Sequence, residues 1–331
     1  MNLVEEMPWL ASHWHRLGDH IQSGRVPQAL LLIGNEGVGK TRLAESFAKR
    51  LLCRTPAEYA CGECASCRLF MAKTHPDLLR IEPEEAGKTI PVDAIRGLIA
   101  SLALKPQYSG RRVVLISPAH RMNVSSANSL LKTLEEPDEH TTLLLLTDSP
   151  QSLPATILSR CQRMDIPVPE RGQSLAWLAE NGQPEKIGEV LLALARGAPV
   201  KALEWANDGI IEKRDTFFSD WWELLEHGGE PAMVAEKWSK FPSETLTDWM
   251  ISWAMDMIRL RAVASYNGID NPDLAVRLHH AAKKVSSRKL FALLDRLHAA
   301  RKMLLGQVNR QLLLEELLIL WLRGQANEFV Q

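Results

Sequence analysis

Residues 29–33 run Ala-Leu-Leu-Leu-Ile without a polar break. So short and so apolar a run predicts a strand covered on both faces, as in a parallel sheet. A glycine-rich turn follows. From Thr41 to Leu52 the apolar residues Leu43, Ala44, Phe47, Ala48 and Leu51 then fall at helical spacing. This strand–turn–helix pattern recurs. Asp77–Ile81 predicts a short strand, Val92–Leu104 an amphipathic helix with Asp93 near its positive end, and Val113–Ile116 another buried strand. Ser125–Leu134 predicts a helix ending near Pro137, and Leu143–Thr147 a further strand. Strands alternating with helices over short links predict an α/β fold: a doubly wound parallel sheet with helices on both faces.

The strand-type runs stop near Ile166, and Pro167 and Pro169 mark a linker. Beyond it nearly everything has helical period. Leu175–Ala195 predicts a small helical domain that closes at Arg196-Gly197-Ala198-Pro199. From about Asp208 to the end the pattern is that of an all-α bundle holding six of the ten tryptophans: Trp221, Trp222, Trp238, Trp249, Trp253 and Trp321. Core packing is their first reading, and a subunit interface, where tryptophan is enriched, the second. The expected division is 1–166, 167–207 and 208–331. No internal repeat or low-complexity tract is present.

A chain of 331 residues, 46% of them hydrophobic, is too long for one compact core. Its 39 basic side chains nearly balance 40 acidic ones. Nucleic acids bind largely through neutralised phosphates, so a balanced chain is a poor stand-alone DNA binder, although a local basic face stays open. The start of the chain carries Glu5 and Glu6 and no apolar signal core, and runs such as Leu143–Leu146 and Leu317–Leu322 are far short of a membrane span. The expected location is the cytoplasm.

The turn after the first strand is Gly34-Asn35-Glu36-Gly37-Val38-Gly39-Lys40-Thr41, a complete G-x-x-x-x-G-K-T. The glycines let backbone N–H groups turn inward around a phosphate, Lys40 would reach the β and γ phosphates, and Thr41 would hold Mg²⁺. The N-terminus of the next helix adds partial positive charge. ATP or ADP binding is therefore expected to be possible, with a chance match or a vestigial loop as the alternative. Hydrolysis also needs a carboxylate at the end of a nearby strand. Val113–Ile116 is followed instead by Ser117-Pro118-Ala119-His120. Glu135, Glu136 and Asp148 are the available substitutes, the two glutamates reading more simply as a solvated helix end.

Four of the five cysteines lie within fifteen residues, as Cys53-x7-Cys61-x2-Cys64-x2-Cys67. In a reducing compartment such clustering points to a metal rather than to disulfides. Four thiolates suit a closed, tetrahedral structural Zn²⁺. An iron–sulfur cluster and unligated thiols are the alternatives. Cys161 stands apart and reads as a buried, inert thiol.

Taken in order, the phosphate loop, the cysteine module, Thr74-His75-Pro76-Asp77, Ile90-Pro91-Val92-Asp93-Ala94-Ile95-Arg96, Ala127-Asn128-Ser129-Leu130-Leu131-Lys132-Thr133-Leu134-Glu135-Glu136-Pro137 and Ile157-Leu158-Ser159-Arg160-Cys161 resemble the AAA+ subunits of bacterial sliding-clamp loaders. The specific motifs cover about half of the chain, and the C-terminal half matches in helical character alone. The resemblance implies an AAA+ domain, a small helical lid and a helical collar. It also implies a role for Ser159-Arg160-Cys161, whose arginine in that family reaches across a subunit interface to a neighbour's ATP. A surface or salt-bridged arginine is the other reading of Arg160.

Two departures bear on the type of subunit. Ser117 and Pro118 stand where Asp-Glu would, and Val200 follows Gly197-Ala198-Pro199 where the family's phosphate-sensing arginine would be. Loss of both with retention of the arginine triplet resembles the delta-prime type, which donates a finger and hydrolyses little or no ATP. The implied partners are motor subunits and a clamp-opening subunit in a hetero-oligomer, and through them the sliding clamp and primed DNA. An ATP-hydrolysing motor subunit or other AAA+ ATPase, and a zinc-bearing DNA-binding module, are the alternatives.

Overall fold

The computed structural model describes residues 3–85, 87–108, 110–136, 138–263, 268–304 and 308–323. The chain divides into two compact units, Met1–Trp177 with Gly197–Lys201, and Leu178–Arg196 with Ala202–Gln331.

The first unit opens with α1 (Leu3–Glu6) and α2 (Ala11–Gln22). Next come β1 (Ala29–Ile33), α3 (Lys40–Leu52), α4 (Ala65–Met71), β2 (Leu78–Ile81), α5 (Val92–Leu102), β3 (Arg112–Ile116) and α6 (Val124–Glu135). The sheet is completed by β4 (Thr141–Thr147), the short α7 (Ala155–Leu158) and β5 (Gln162–Asp165). All pairings are parallel and the strand order is β2-β3-β4-β1-β5.

The expected α/β sheet is thus present, because both of its faces are fed by one alternation. Leu31, Val114, Ile116, Leu143 and Leu145 join Ile95, Leu98, Leu130 and Ile157 of α5, α6 and α7 in one buried cluster. Successive strand residues point to opposite faces. Leu30, Leu32, Leu115, Leu144 and Leu146 are buried too, on the side taken by α3. Residues Leu43, Ala44, Phe47 and Ala48 of α3 are buried, as the helical spacing predicts. Pro137, expected to end α6, lies outside the described residues.

The register decides where chemistry can sit. Ile33 pairs with Thr147, and Ile116 with Leu145. The carboxyl ends of β1, β3 and β4 therefore open at one edge of the sheet. There they present the loop 34–39, the Ser117–His120 turn and Asp148.

Two helices, α8 (Arg171–Glu180) and α10 (Pro199–Asn207), begin in the first unit along the chain and finish in the second. The second unit also contains α9 (Glu185–Leu194), α11 (Ile210–His227), α12 (Pro231–Trp238), α13 (Ser243–Ala262), α14 (Ala275–Lys284), α15 (Ser287–Met303) and α16 (Arg310–Leu322). Trp221, Trp238, Trp249, Trp253 and Trp321 are buried in it, as the core reading requires, while Trp222 is half-buried beside Phe218 and His280.

A buried polar knot holds α11 and α13 to the segment after α13. Asp256 accepts hydrogen bonds from the backbone of Asp270 and Asn271 and from Asn271 Nδ2. Arg214, fully buried, donates to Asn271 Oδ1 and pairs with Asp273. No helix among the described residues is long and apolar enough to cross a membrane.

Candidate functional site

The loop between β1 and α3 is shaped by glycines that cannot be replaced cheaply. Gly37 and Gly39 have φ of 80° and 98°, in the left-handed region that side chains avoid. A Cβ on Gly37 would also stand 2.3 Å from the Cβ of Lys201. The loop is held from several directions. Gly34 N–H donates to the Thr147 carbonyl at 3.2 Å, and Val200 N–H to the Gly37 carbonyl at 3.0 Å. The Trp9 indole donates to the Val38 carbonyl at 2.9 Å.

Lys40 points back into the loop, its ammonium donating to the carbonyls of Gly34 at 2.6 Å and Asn35 at 2.7 Å. It is 8% exposed. Burial pushes its pKa down, and the charges of Asp148 and Glu36 partly restore it. Lys201 caps the same loop by pairing with Glu36 at 2.7 Å. Nothing in the sequence marked Lys201, because it is 165 residues from its partner. Val200 touches the loop through its backbone amide.

At the end of β3 there is no carboxylate. Ser117 N–H donates to Ile81 O, and the turn that follows brings His120 to Thr147 Oγ1 at 3.2 Å and Asp148 Oδ1 at 3.4 Å. Burial pushes the pKa of His120 down, against the pull of Asp148. Of the carboxylates considered as substitutes, Asp148 is the one whose charge reaches Lys40. Glu135 lies elsewhere, against Arg160.

Arg160 follows α7 directly. Its Nε and Nη2 approach Glu135 Oε1 at 2.9 and 2.5 Å, and its Nη1 donates to the Thr156 carbonyl at 3.0 Å. The guanidinium is one-third exposed. The next residue, Cys161, is buried in the sheet core, and burial pushes its thiol up to about 11. It is buried, as the sequence suggests, and it anchors the segment beneath the arginine.

The four clustered cysteines come together between α3 and α4. Their sulfurs all lie within 4.8 Å of one another, with Cys53 to Cys61 at 3.6 Å and Cys61 to Cys67 at 3.9 Å. Four thiolates about 2.3 Å from one tetrahedral ion would stand roughly 3.8 Å apart. The donor set therefore fits a closed, four-coordinate metal. Backbone N–H groups of Cys61, Cys64 and Cys67 aim at the sulfurs of Cys53, Cys61 and Cys64. Hydrogen bonds, first from Thr55 and then from backbone, hold the exposed Cys61 thiol down to about 6, while burial drives Cys67 up to about 12.

The module is tied to the sheet through Ser66, which sits between two of these cysteines. Ser66 Oγ donates to the Leu52 carbonyl at 2.6 Å and lies 2.8 Å from His75 Nε2. His75 Nδ1 accepts from Asp77 N–H. That pair of contacts fixes a neutral ring protonated at Nε2. The Asp77 carboxylate, fully buried, accepts from the backbone of Gln107 and Tyr108, both at 2.7 Å. The Thr74-His75-Pro76-Asp77 motif thus links the cysteine module to the start of β2.

A parallel sheet with a phosphate loop after its first strand, helices on both faces and a following array of helices defines a protein of the AAA+ type. Family comparison agrees. The family described as "DNA polymerase III, delta subunit" matches residues 10–170, and its C-terminal counterpart residues 209–323. The chain is 39% identical to the DNA polymerase III subunit delta' of Pseudomonas aeruginosa, over 96% of this chain and 98% of that one. To the subunit delta' of Escherichia coli it is 30% identical, over 94% of each. Part of the chain also resembles the E. coli subunit tau, 40% identical over 45% of this chain and 23% of that protein. The chain belongs to the DNA polymerase III delta-prime family.

Proposed function

We propose that this delta-prime subunit helps load the sliding clamp onto primed DNA by completing a neighbour's ATPase site, while hydrolysing little or no ATP itself. The observation that carries the reading is the pairing of a retained Arg160, partly exposed on the stem formed by α7 and β5, with a β3 terminus that offers Ser117, Pro118 and His120 but no carboxylate. A guanidinium supplied in trans stabilises the charge that spreads over a transferring phosphoryl group. Without a carboxylate at the end of β3, the chain lacks the group that in a hydrolysing subunit would complete a Mg²⁺ site and polarise water there.

Gly34, Gly37, Gly39, Lys40 and Thr41 would cradle ATP or ADP as a resident ligand. Binding would require the Lys40 ammonium to exchange the carbonyls of Gly34 and Asn35 for phosphate oxygens. Cys53, Cys61, Cys64 and Cys67 would hold a structural Zn²⁺, whose chemistry is cross-linking alone. Residues 208–331 would form the collar and 167–207 the lid. The partners are motor subunits and a clamp-opening subunit in a cytoplasmic hetero-oligomer. The relation to the clamp and to primed DNA runs through that complex.

The test is steady-state ATP hydrolysis by the purified chain, with and without primed DNA. The expected result is no turnover. Turnover at motor-like rates, lost in Lys40→Ala, would assign catalysis to this chain, with Asp148 as the carboxylate to examine.

A further inference from the structure

We propose that Glu135 is the positioning residue of the Arg160 finger, a role that rests on the reading of Arg160 given above. Glu135 is the last residue of α6. A helix C-terminus carries partial negative charge and favours cations, so a glutamate there is locally misplaced and calls for a partner. The partner is Arg160, 25 residues further along the chain.

The contact is poorly suited to a purely structural role. Both side chains are substantially exposed, Arg160 at 33% and Glu135 at 48%. Pairs of that kind contribute little to stability. What the contact does fix is orientation. Nε and Nη2 both converge on Glu135 Oε1, while Nη1 rests on the Thr156 carbonyl, so the plane of the guanidinium is set from two sides. The backbone beneath is equally constrained. Cys161 is sunk in the sheet core and the Arg163 guanidinium donates to the Leu158 carbonyl. An arginine has five N–H donors. The second Nη1 hydrogen faces Ser159 Oγ at 3.4 Å, so among the described residues these contacts leave one Nη2 hydrogen over for a phosphate oxygen. Glu135 therefore grips the inner edge of the guanidinium and leaves part of the outer edge for ATP.

A finger kept in place in this way avoids the cost of ordering a long side chain at the moment of reaction, and misplacing a catalytic group by an ångström can cost on the order of a hundredfold in rate. The experiment is ATP turnover by the assembled loader carrying Glu135→Ala, Glu135→Gln, Arg160→Ala or the double substitution, with assembly checked by gel filtration. The component of turnover that Arg160→Ala removes should fall about ten- to a hundredfold in kcat in Glu135→Ala. KM for ATP should be little changed. Glu135→Gln, which keeps an acceptor oxygen and the side-chain shape, should recover part of the loss. The double variant should be no slower than Arg160→Ala alone, because the two residues act as one unit.

Normal or faster turnover in Glu135→Ala, or additive losses in the double variant, would overturn the positioning role while leaving the finger intact. Unchanged turnover in Arg160→Ala would instead remove the reading beneath it.

Discussion

Trp321 is the residue whose removal should test the helical unit most severely. It lies on α16, 1% exposed, its ring stacked on Trp221 of α11 with centroids 3.8 Å apart and planes 12° from parallel. Its indole N–H donates to the Trp221 carbonyl at 2.9 Å. Since α16 packs on α11, α12 and α15, this single side chain joins the last helix to much of the bundle. Trp321→Ala removes a large buried ring, worth about 3–5 kcal/mol, and a hydrogen bond worth about 1 kcal/mol. The sum, roughly 4–6 kcal/mol, is a large part of the ~5–15 kcal/mol by which a domain is stable. Trp321→Phe keeps an aromatic ring and loses the hydrogen bond, so it should cost roughly 1–2 kcal/mol. Urea denaturation followed by circular dichroism and tryptophan fluorescence gives both numbers, and gel filtration with the partner subunits reads entry into the loader. The Ala variant should unfold its helical unit early and fail to assemble. A loss below about 1 kcal/mol for Trp321→Ala, or normal assembly of a chain lacking residues 208–331, would refute the reasoning.

Metal analysis should find about one zinc per chain, and Cys53→Ser or a strong chelator should release it and lower the melting temperature of the full chain; iron with visible absorption, or no metal, would contradict this. Stability should fall on acidification below the ordinary histidine pKa of ~6.5. His75, whose pKa burial pushes down, stays neutral in the folded chain at pH values where the unfolded chain takes up a proton, and stability is lost as pH falls through that window. His75→Ala should cost roughly 1–3 kcal/mol near pH 7.5 for its lost buried hydrogen bonds and should then show a smaller further loss at pH 5.5, measured as urea midpoints. An equal pH dependence in both chains would mean that His75 does not titrate as its contacts require.

Much of the fold is legible because several strands obey simple rules. Ala29–Ile33 and Leu143–Leu146 are short unbroken apolar runs, and both form central strands. The phosphate loop and the cysteine module are legible because their chemistry needs fixed spacings. Other parts left no local signal. β5 reads Gln-Arg-Met-Asp with only Met164 buried, too polar to register as a strand, and it is held by pairing with β1 at the sheet edge. The N-terminal helices lean on Leu10, Trp14 and Leu17, an apolar pattern interrupted by histidines. Glu135 and Arg160 each look like solvated charges until the fold brings them together, and the one clue was a carboxylate at the wrong end of a helix. Lys201 beside Glu36 shows the same limit, since an ion pair across 165 residues leaves no trace in either neighbourhood.

The central claim, that this subunit acts through Arg160 on ATP held by a neighbour, is tested most directly by ATP turnover of the whole loader assembled with Arg160→Ala. Fingers of this kind contribute roughly 10³–10⁵ in rate at the site they complete. The account predicts a normally assembled complex whose primed-DNA-stimulated hydrolysis at that site is abolished. An assembled variant that hydrolyses ATP at the normal rate would contradict it.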